Sequence, residues 1–473
     1  MKKTFILVFL VTALHCFSQK RATGLVFNDN VYQKTDRLSP ALKFTTGDLP
    51  AASLKMYCPN PGNQGQSMGS CVGWAAGYAA LSISTAIKNN ITDKTQITQQ
   101  ARSALYIYNQ IKINGCPNGA DMHRALEFVK TNGDCLKKDF DPNDCEMDPS
   151  ESVRQMALEF KIKDYYTLFS VDATPEQKII ATINSIISKK PVLVGLVVTS
   201  SIFRGVGSKG EWNPDPGESV EGGHALCVIG YDNMSERFEI INSWGTDWGN
   251  NGFFTISYKN FARLCKYGYQ FNLQDNAKNT TVSLTGNFKF KKYKGYDAST
   301  SKYQFDEVPV QLNGTSYTID DIHVNDFFRI SASNISKDKY VYIFSIKPDK
   351  TAEILFPINT TIDGVSVKDI PIVPSNDAVI EIPIDEKKGL TTDQAGDDIL
   401  CILYSSELIN DIEAVVKNIK NDSGEFYTRL QNALGSKLIP SSDITYNPST
   451  MGITTSSNKG TIAPIILQVN VKN

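Results

Sequence analysis

Between Trp74 and Ile87 the chain reads WAAGYAALSISTAI, with small and apolar residues recurring at helical spacing, and this predicts a helix. SALYIYNQI and MHRALEFVKTNG predict two more, the second closed by Gly133 in the C-cap position. PEQKIIATINSIISKK predicts a fourth, opening on Pro175, whose missing N–H is harmless in a first helical turn. The pattern then changes to short runs of strand character: PVLVGLVV, HALCVIGYD, RFEIINSW and GFFTISY. Helices first and strands second predict an α+β domain with two segregated halves over residues 51–275.

Beyond Asp275 short strands alternate with turn residues, as in VSLTGNFKFKKY, DKYVYIFSIKPD, AVIEIPID and DDILCILYSS. Val282, Leu284, Phe288 and Phe290 fall on one side of a period-two pattern. Such regular spacing predicts an all-β sandwich over 276–406. Residues 407–473 read as an amphipathic helix or two and a last strand, APIILQVNVKN.

The amino-terminal pattern is different again. MKK followed by TFILVFLVTALHCFS has the charged start, apolar centre and small-residue end of a cleaved export signal over 1–18. Its apolar run is too short to span a bilayer. A lipoprotein signal ending at Cys16 is the alternative, although His15 stands where a small residue would be wanted. Residues 19–50 form a polar extension. These features predict a secreted or periplasmic protein with no integral membrane segment after signal cleavage.

Composition removes some function classes. The 48 Lys and Arg against 50 Asp and Glu leave a net charge of -2, which excludes the basic footprint of a nucleic-acid binder. Nine cysteines are present, and in an oxidising compartment some should pair once Cys16 is lost. The remaining eight allow about 105 complete pairings, so spacing alone leaves the connectivity open. Asp139, Asp141, Asn143 and Asp144 offer oxygen ligands, but Pro142 and a missing glycine and glutamate break the calcium-loop spacing. A solvated loop is expected there, with no metal and no cofactor.

Cys71 stands between a glycine-rich turn and the first helix, and cysteine nucleophiles need a base, an orienting group and oxyanion donors. Four histidines are present. His15 leaves with the signal, His323 lies among acidic residues in the β-rich part, and His123 sits on a helix beside Arg124. His224 remains, opening a strand directly after two glycines, of which Gly223 is adjacent. Asn242, ending the next strand, is placed to orient the imidazole, and Trp244 to shield that bond from water.

NQGQSMGSCVGWA, GGHALCVIGYD and NSWGTDWGNNGFFTI together resemble the three sequence blocks of the papain-like cysteine peptidases, in the family's order. The resemblance covers about residues 50–275. It implies a helical half and a β-rich half with a substrate cleft between them, and hydrolysis of protein or peptide substrates through a thioester on Cys71. It further implies His224 as base and then acid, and Asn242 as its orienter. The Cys71 N–H and a glutamine side chain are then the oxyanion donors. GCPNGAD resembles the family segment whose backbone pairs with substrate, which makes Gly119 a binding candidate beside Gly223 and Trp244.

Several positions depart from the family pattern. Gln64 precedes Cys71 by seven positions, one more than usual, and Gln66 by five; Gln64 is preferred because NQG matches the block's start. Met68 replaces a usual disulfide cysteine, and Val72 and Gly73 displace Trp74, variations that resemble bacterial members. Cys116 has thus lost its usual partner, for which Cys58 is a candidate, and Cys135 and Cys145 form a second candidate pair. The extension at 19–50 is much shorter than the family's inhibitory pro-segment and is not expected to act as one. The C-terminal region resembles an immunoglobulin-like domain appended to bacterial proteases, which implies binding or spacing. The reading is a secreted cysteine endopeptidase; the alternative is an impaired papain-like domain serving in binding or adhesion. Acyl or amine transfer on the same fold is a third reading.

Overall fold

The computed structural model describes residues 21–473 except 40–41, 45–49, 205, 207–209, 275–280, 300–301, 363–364, 377 and 384–387; the export signal read at 1–18 lies outside them. The predicted first helix runs without a break through residues 71–88. Its middle, Trp74–Leu81, is wound as a π-helix. Every residue from Cys71 to Ile83 is buried, so the segment needs no polar face. Its small residues let other elements approach: a Cβ on Gly73 would lie 2.2 Å from the Ala104 carbonyl oxygen. The helix Ala104–Ile111 packs there, followed by Met122–Asn132. Pro175–Ile187 begins with a reciprocal Thr174–Gln177 capping box.

The sheet beside these helices is built mainly from antiparallel pairs. Val220–Asp232, the strand that carries His224, lies between Val192–Thr199 and Arg237–Ile241. Phe253–Ser257 follows on one side; Cys265–Leu273 and Ile162–Thr167 follow on the other. The α+β reading of this part of the chain therefore holds. The helix Tyr258–Leu264 was not legible, because it continues the apolar pattern of the strand before it.

The second half of the chain is a two-sheet sandwich. In one sheet Val282–Asp297 pairs with Phe327–Ser333 and with Met451–Ser457. In the other, Ile462–Lys472 lies between Ser316–His323 and Gly396–Ser405. Leu284, Phe288 and Phe290 point into the shared core with Ile330, Ile343 and Leu467. Two helices, Ile412–Asn421 and Phe426–Leu434, supply Ile412, Val416, Ile419 and Leu430 to a second apolar core, with Tyr342 and Leu403. Strands from both sides of residue 406 thus share one sandwich, because the last strand pairs along the whole of Gly396–Ser405.

A strand and a polar cluster are among the features that join the halves. Arg37–Leu38 is a strand between Ile162–Thr167 of the first half and Val365–Ile370 of the second, parallel to both. Beside it lies a buried polar cluster. Asp164 accepts from Asn272 Nδ2 at 2.6 Å and from the Tyr340 hydroxyl; Lys190 donates to Asn272 Oδ1 at 2.7 Å and to Asp338 at 2.6 Å.

Disulfide pairing departs from expectation. Cys116 is bonded to Cys145, with Cα atoms 5.6 Å apart, while Cys58 and Cys135 are free and buried. The acidic loop folds back because Asn109 donates to the carbonyls of both Asp144 and Met147, and this brings Cys145 to Cys116. Within that loop Asp141 pairs with Lys137, and Asp144 caps its own turn at Glu146 N.

Candidate active site

Cys71 is the first residue of the long helix and is fully buried. Its Sγ accepts from the Ala225 N–H at 3.4 Å, which places the sulfur beside the residue that follows His224. Strand register carries the imidazole to this point, since His224 pairs with Leu196 while Cys227 pairs with Ile241, the residue before Asn242.

The histidine's tautomer follows from its neighbours. Asn242 Oδ1 accepts from the Ser243 N–H at 2.8 Å, so the carboxamide oxygen, not its nitrogen, is on that side. The same oxygen is 2.9 Å from His224 Nε2, which must therefore carry the ring proton. Nδ1 is left as the basic nitrogen, buried and without a hydrogen-bond partner. Trp244 stacks on the imidazole with ring centroids 4.7 Å apart, and Phe203 stacks on the indole at 5.5 Å.

Gln64 is buried and held on three sides. Its N–H donates to the Ser243 carbonyl, its Oε1 accepts from the Ser243 hydroxyl at 2.6 Å, and its Nε2 donates at 2.6 Å to the carbonyl of Ala22. Gly65, Gln66 and Ser67 are exposed, with Gly65 at φ +74°. The extra residue is thus absorbed in an outward turn, and Gln64 rather than Gln66 reaches the cleft.

Residues 21–26 of the extension lie in that cleft. Leu25 N–H donates to the Gly223 carbonyl at 3.1 Å, Ala120 N–H to the Gly24 carbonyl at 2.8 Å, and Val26 N–H to Ala120 at 3.0 Å. The Ala22 carbonyl also accepts from Trp244 Nε1 at 3.2 Å, and Arg21 reaches the Trp244 carbonyl. A Cβ on Gly119 would fall 2.0 Å from the Gly24 oxygen, and one on Gly223 2.5 Å from the Leu25 oxygen. Glycine at these positions permits the close backbone approach. All the sequence-derived candidates therefore converge on one cleft. The short extension, which was not expected to act as an inhibitory segment, lies along the cleft and is held there by backbone pairs and by the side chains of Gln64 and Trp244. Ser243, Ala120 and Phe203 were missed, although Ser243 lies in NSWGTDWG beside Asn242 and Ala120 lies in GCPNGAD beside Gly119; Phe203 lies in neither segment.

Burial shifts both members of the Cys71–His224 pair. Burial pushes the Cys71 thiol up to about 12, opposed in part by the N–H groups of Ala225 and Gly24. Burial pulls His224 down to about 4, opposed by its bond to Asn242. Both shifts favour the neutral forms of the pair.

A cysteine at the start of a buried helix, a histidine oriented by asparagine under a tryptophan, and a cleft between helical and β halves define a papain-like cysteine-protease domain. Residues 54–272 match the family model described as papain family cysteine protease. The chain is similar to an uncharacterized peptidase C1-like protein of Acanthamoeba polyphaga mimivirus, 29% identical over 31% of this chain and 48% of the relative. Human cathepsin L2 is 29% identical over 30% of this chain and 42% of its own length. Gamete and mating-type specific protein A of Dictyostelium discoideum is 31% identical over 42% and 40%. The alignments thus span less than half of each of these relatives. Among solved structures, xylellain, a cysteine protease from Xylella fastidiosa, is 23% identical with a TM-score of 0.42, covering 54% of this chain and 97% of that one. No helix among the described residues is long and apolar enough to cross a membrane.

Proposed function

We propose that the papain-family domain hydrolyses peptide bonds by covalent catalysis on Cys71. The observation that carries this reading is the unpartnered Nδ1 of His224, fixed as the basic nitrogen by Asn242 beside the Cys71 sulfur. Nδ1 takes the thiol proton, and the sulfur attacks the scissile carbonyl carbon. The developing oxyanion accepts from the Cys71 N–H and Gln64 Nε2. The C–N bond breaks as His224 returns the proton to the leaving amine. Water, deprotonated by His224, then attacks the thioester, releasing the acid product and the free thiol. Gly119, Gly223 and their neighbours hold the substrate backbone where residues 24–25 now lie, so hydrolysis requires that segment to be displaced.

The Cys116–Cys145 disulfide supports export to an oxidising compartment, as read from residues 1–18. In this reading the sandwich over 276–406 and the following segment to 473 serve attachment or spacing. The test is purified chain lacking the first 27 residues, offered an epoxysuccinyl-type thiol probe and a fluorogenic peptide library under reducing conditions. Cleavage and labelling that both vanish in Cys71→Ala are expected. Folded protein with an accessible Cys71 that neither labels nor cleaves any peptide overturns the reading in favour of a binding or adhesion role.

A further inference from the structure

A cavity of about 380 Å³ opens where the two halves of the molecule meet, and it shares no wall residue with the Cys71 cleft. Three parts of the chain enclose it. The helix Pro175–Ile187 supplies Ile180, and the papain-family sheet supplies Gln270 and leads into Leu168 and Phe169. The seam supplies Arg37 and Leu38 from the joining strand and Pro374 from the second half. Phe169 is fixed in this wall by its carbonyl, which accepts from the Tyr32 hydroxyl at 2.7 Å. That hydroxyl accepts in turn from the Gly268 N–H at 3.0 Å, and the Tyr32 ring stacks on Tyr267. Leu168 and Phe169 are buried, whereas Ile180 is 48% exposed and stands at the mouth.

The group that points to a ligand is Gln270, only 1% exposed. Its Nε2 donates to the Ser185 hydroxyl. Ser185 gives its own proton to the Lys190 carbonyl at 3.1 Å, so towards Gln270 it can only accept. The carboxamide nitrogen is therefore on that side, and Oε1 is left buried in the cavity wall with no hydrogen-bond partner. Of the charged residues in the wall, Arg37 is 3.1 Å from Asp369, and Glu176 stands exposed in the first turn of its helix. The buried part of the cavity thus presents hydrocarbon and one unmet acceptor, without a free charge.

A volume of this size falls within the range of small-molecule sites, roughly 300–1,000 Å³, and is on the order of ten times one water's share. Water filling it would meet mainly hydrocarbon along Leu38, Leu168, Phe169 and Pro374, and would find few of the partners it needs. We propose that this cavity is a binding site, separate from the catalytic cleft, for a small uncharged molecule with an apolar body and one N–H or O–H donor. The apolar body covers the hydrocarbon walls, and the donor meets Gln270 Oε1. A charged ligand is disfavoured because its buried end would find no counter-charge. Once occupied, the site ties the helix Pro175–Ile187 of the first half to Pro374 of the second.

The test uses the full chain and two probes of one shape: indole, which carries a single N–H donor, and benzothiophene, which carries none. Calorimetric titration should show saturable indole binding at one site per chain, and Tm should rise with indole concentration. The ratio of indole to benzothiophene affinity should fall by about tenfold in Gln270→Met, the worth of one hydrogen bond to a buried acceptor. Ile180→Trp and Ala173→Phe, both at positions that are not buried, should each fill the mouth and weaken indole by at least about tenfold. Cys71→Ala should bind indole as the wild-type chain does.

The proposal is overturned if indole shows no saturable binding, which would leave the cavity to water alone. It is equally overturned if the affinity ratio is unchanged in Gln270→Met, or if indole binds undiminished to whichever of the two filling variants is folded by Tm. Loss of binding in Cys71→Ala would place the probe in the catalytic cleft and reject the separate site.

Discussion

At the scale of single residues, the site depends on which atom carries which proton. Asn242 Oδ1 is pinned by the Ser243 N–H and therefore fixes Nε2 as the protonated nitrogen of His224. In the opened enzyme His224→Ala should lower kcat/KM by about 10²–10⁴-fold, the usual worth of a positioned acid–base. Gln64→Ala should lower kcat by about 10²–10³-fold with little change in KM, read by steady-state kinetics on a cleaved peptide. A pH effect follows from burial. Burial holds the folded imidazole at about 4, below its unfolded value of 6.5, so the unfolded chain binds more protons between those values. Stability of the filled state should fall as pH drops from 6.5 towards 4. His224→Gln should flatten that part of the Tm–pH curve. Asp369 acts in the opposite sense: burial raises its carboxyl from 3.8 to about 6, so its contribution to stability falls as pH rises across that range.

At the scale of elements, the short helix Asp29–Lys34 has too few residues to be stable alone and is held by what Tyr32 reaches. Tyr32→Phe keeps the ring stack but leaves the Phe169 carbonyl and Gly268 N–H without their partner. A loss of about 1–3 kcal/mol is expected, measurable by denaturant unfolding. The π-wound stretch Trp74–Leu81 is of another kind. It is buried all round, and its Trp74 ring fits against Gly62, where a Cβ would lie 2.0 Å from the indole. The displacement of Trp74 noted in the sequence is thus matched by a glycine in the loop that leads to Gln64.

At the scale of the whole molecule, the papain-family domain and the sandwich share a strand, a polar cluster and an apolar core that runs through Tyr340, Tyr342 and Leu403. A continuous core of this sort predicts one cooperative transition in calorimetry rather than two. Tyr340→Phe removes the hydroxyl that donates to buried Asp164 and should lower that transition by several degrees. Splitting into two transitions in the wild-type chain would show that the halves unfold independently.

Much of this molecule was legible in its sequence. Cys71, His224, Asn242 and Trp244 stand in local motifs, where residue type and chain-neighbour geometry suffice. The α+β and all-β regions follow from hydrophobic period alone. Other features needed the folded chain. The Gln64–Gln66 alternative turned on which residues of one loop face outward. The partner of Cys116 was Cys145 because Asn109 anchors a distant loop, and eight thiols carry no record of such anchoring. Residues 407–473 read as a tail, yet Ile462–Lys472 is central to a sheet, since strand pairing over long separations leaves no local pattern. The extension shows the limit most plainly. It docks in the cleft through amides and carbonyls at Gly24, Ala120 and Gly223, groups that nearly every residue possesses, so only their positions in space mark them as a site. Sequence by itself determined which chemistry this chain carries, because side chains encode it; the tertiary structure decided which backbone lies over that chemistry.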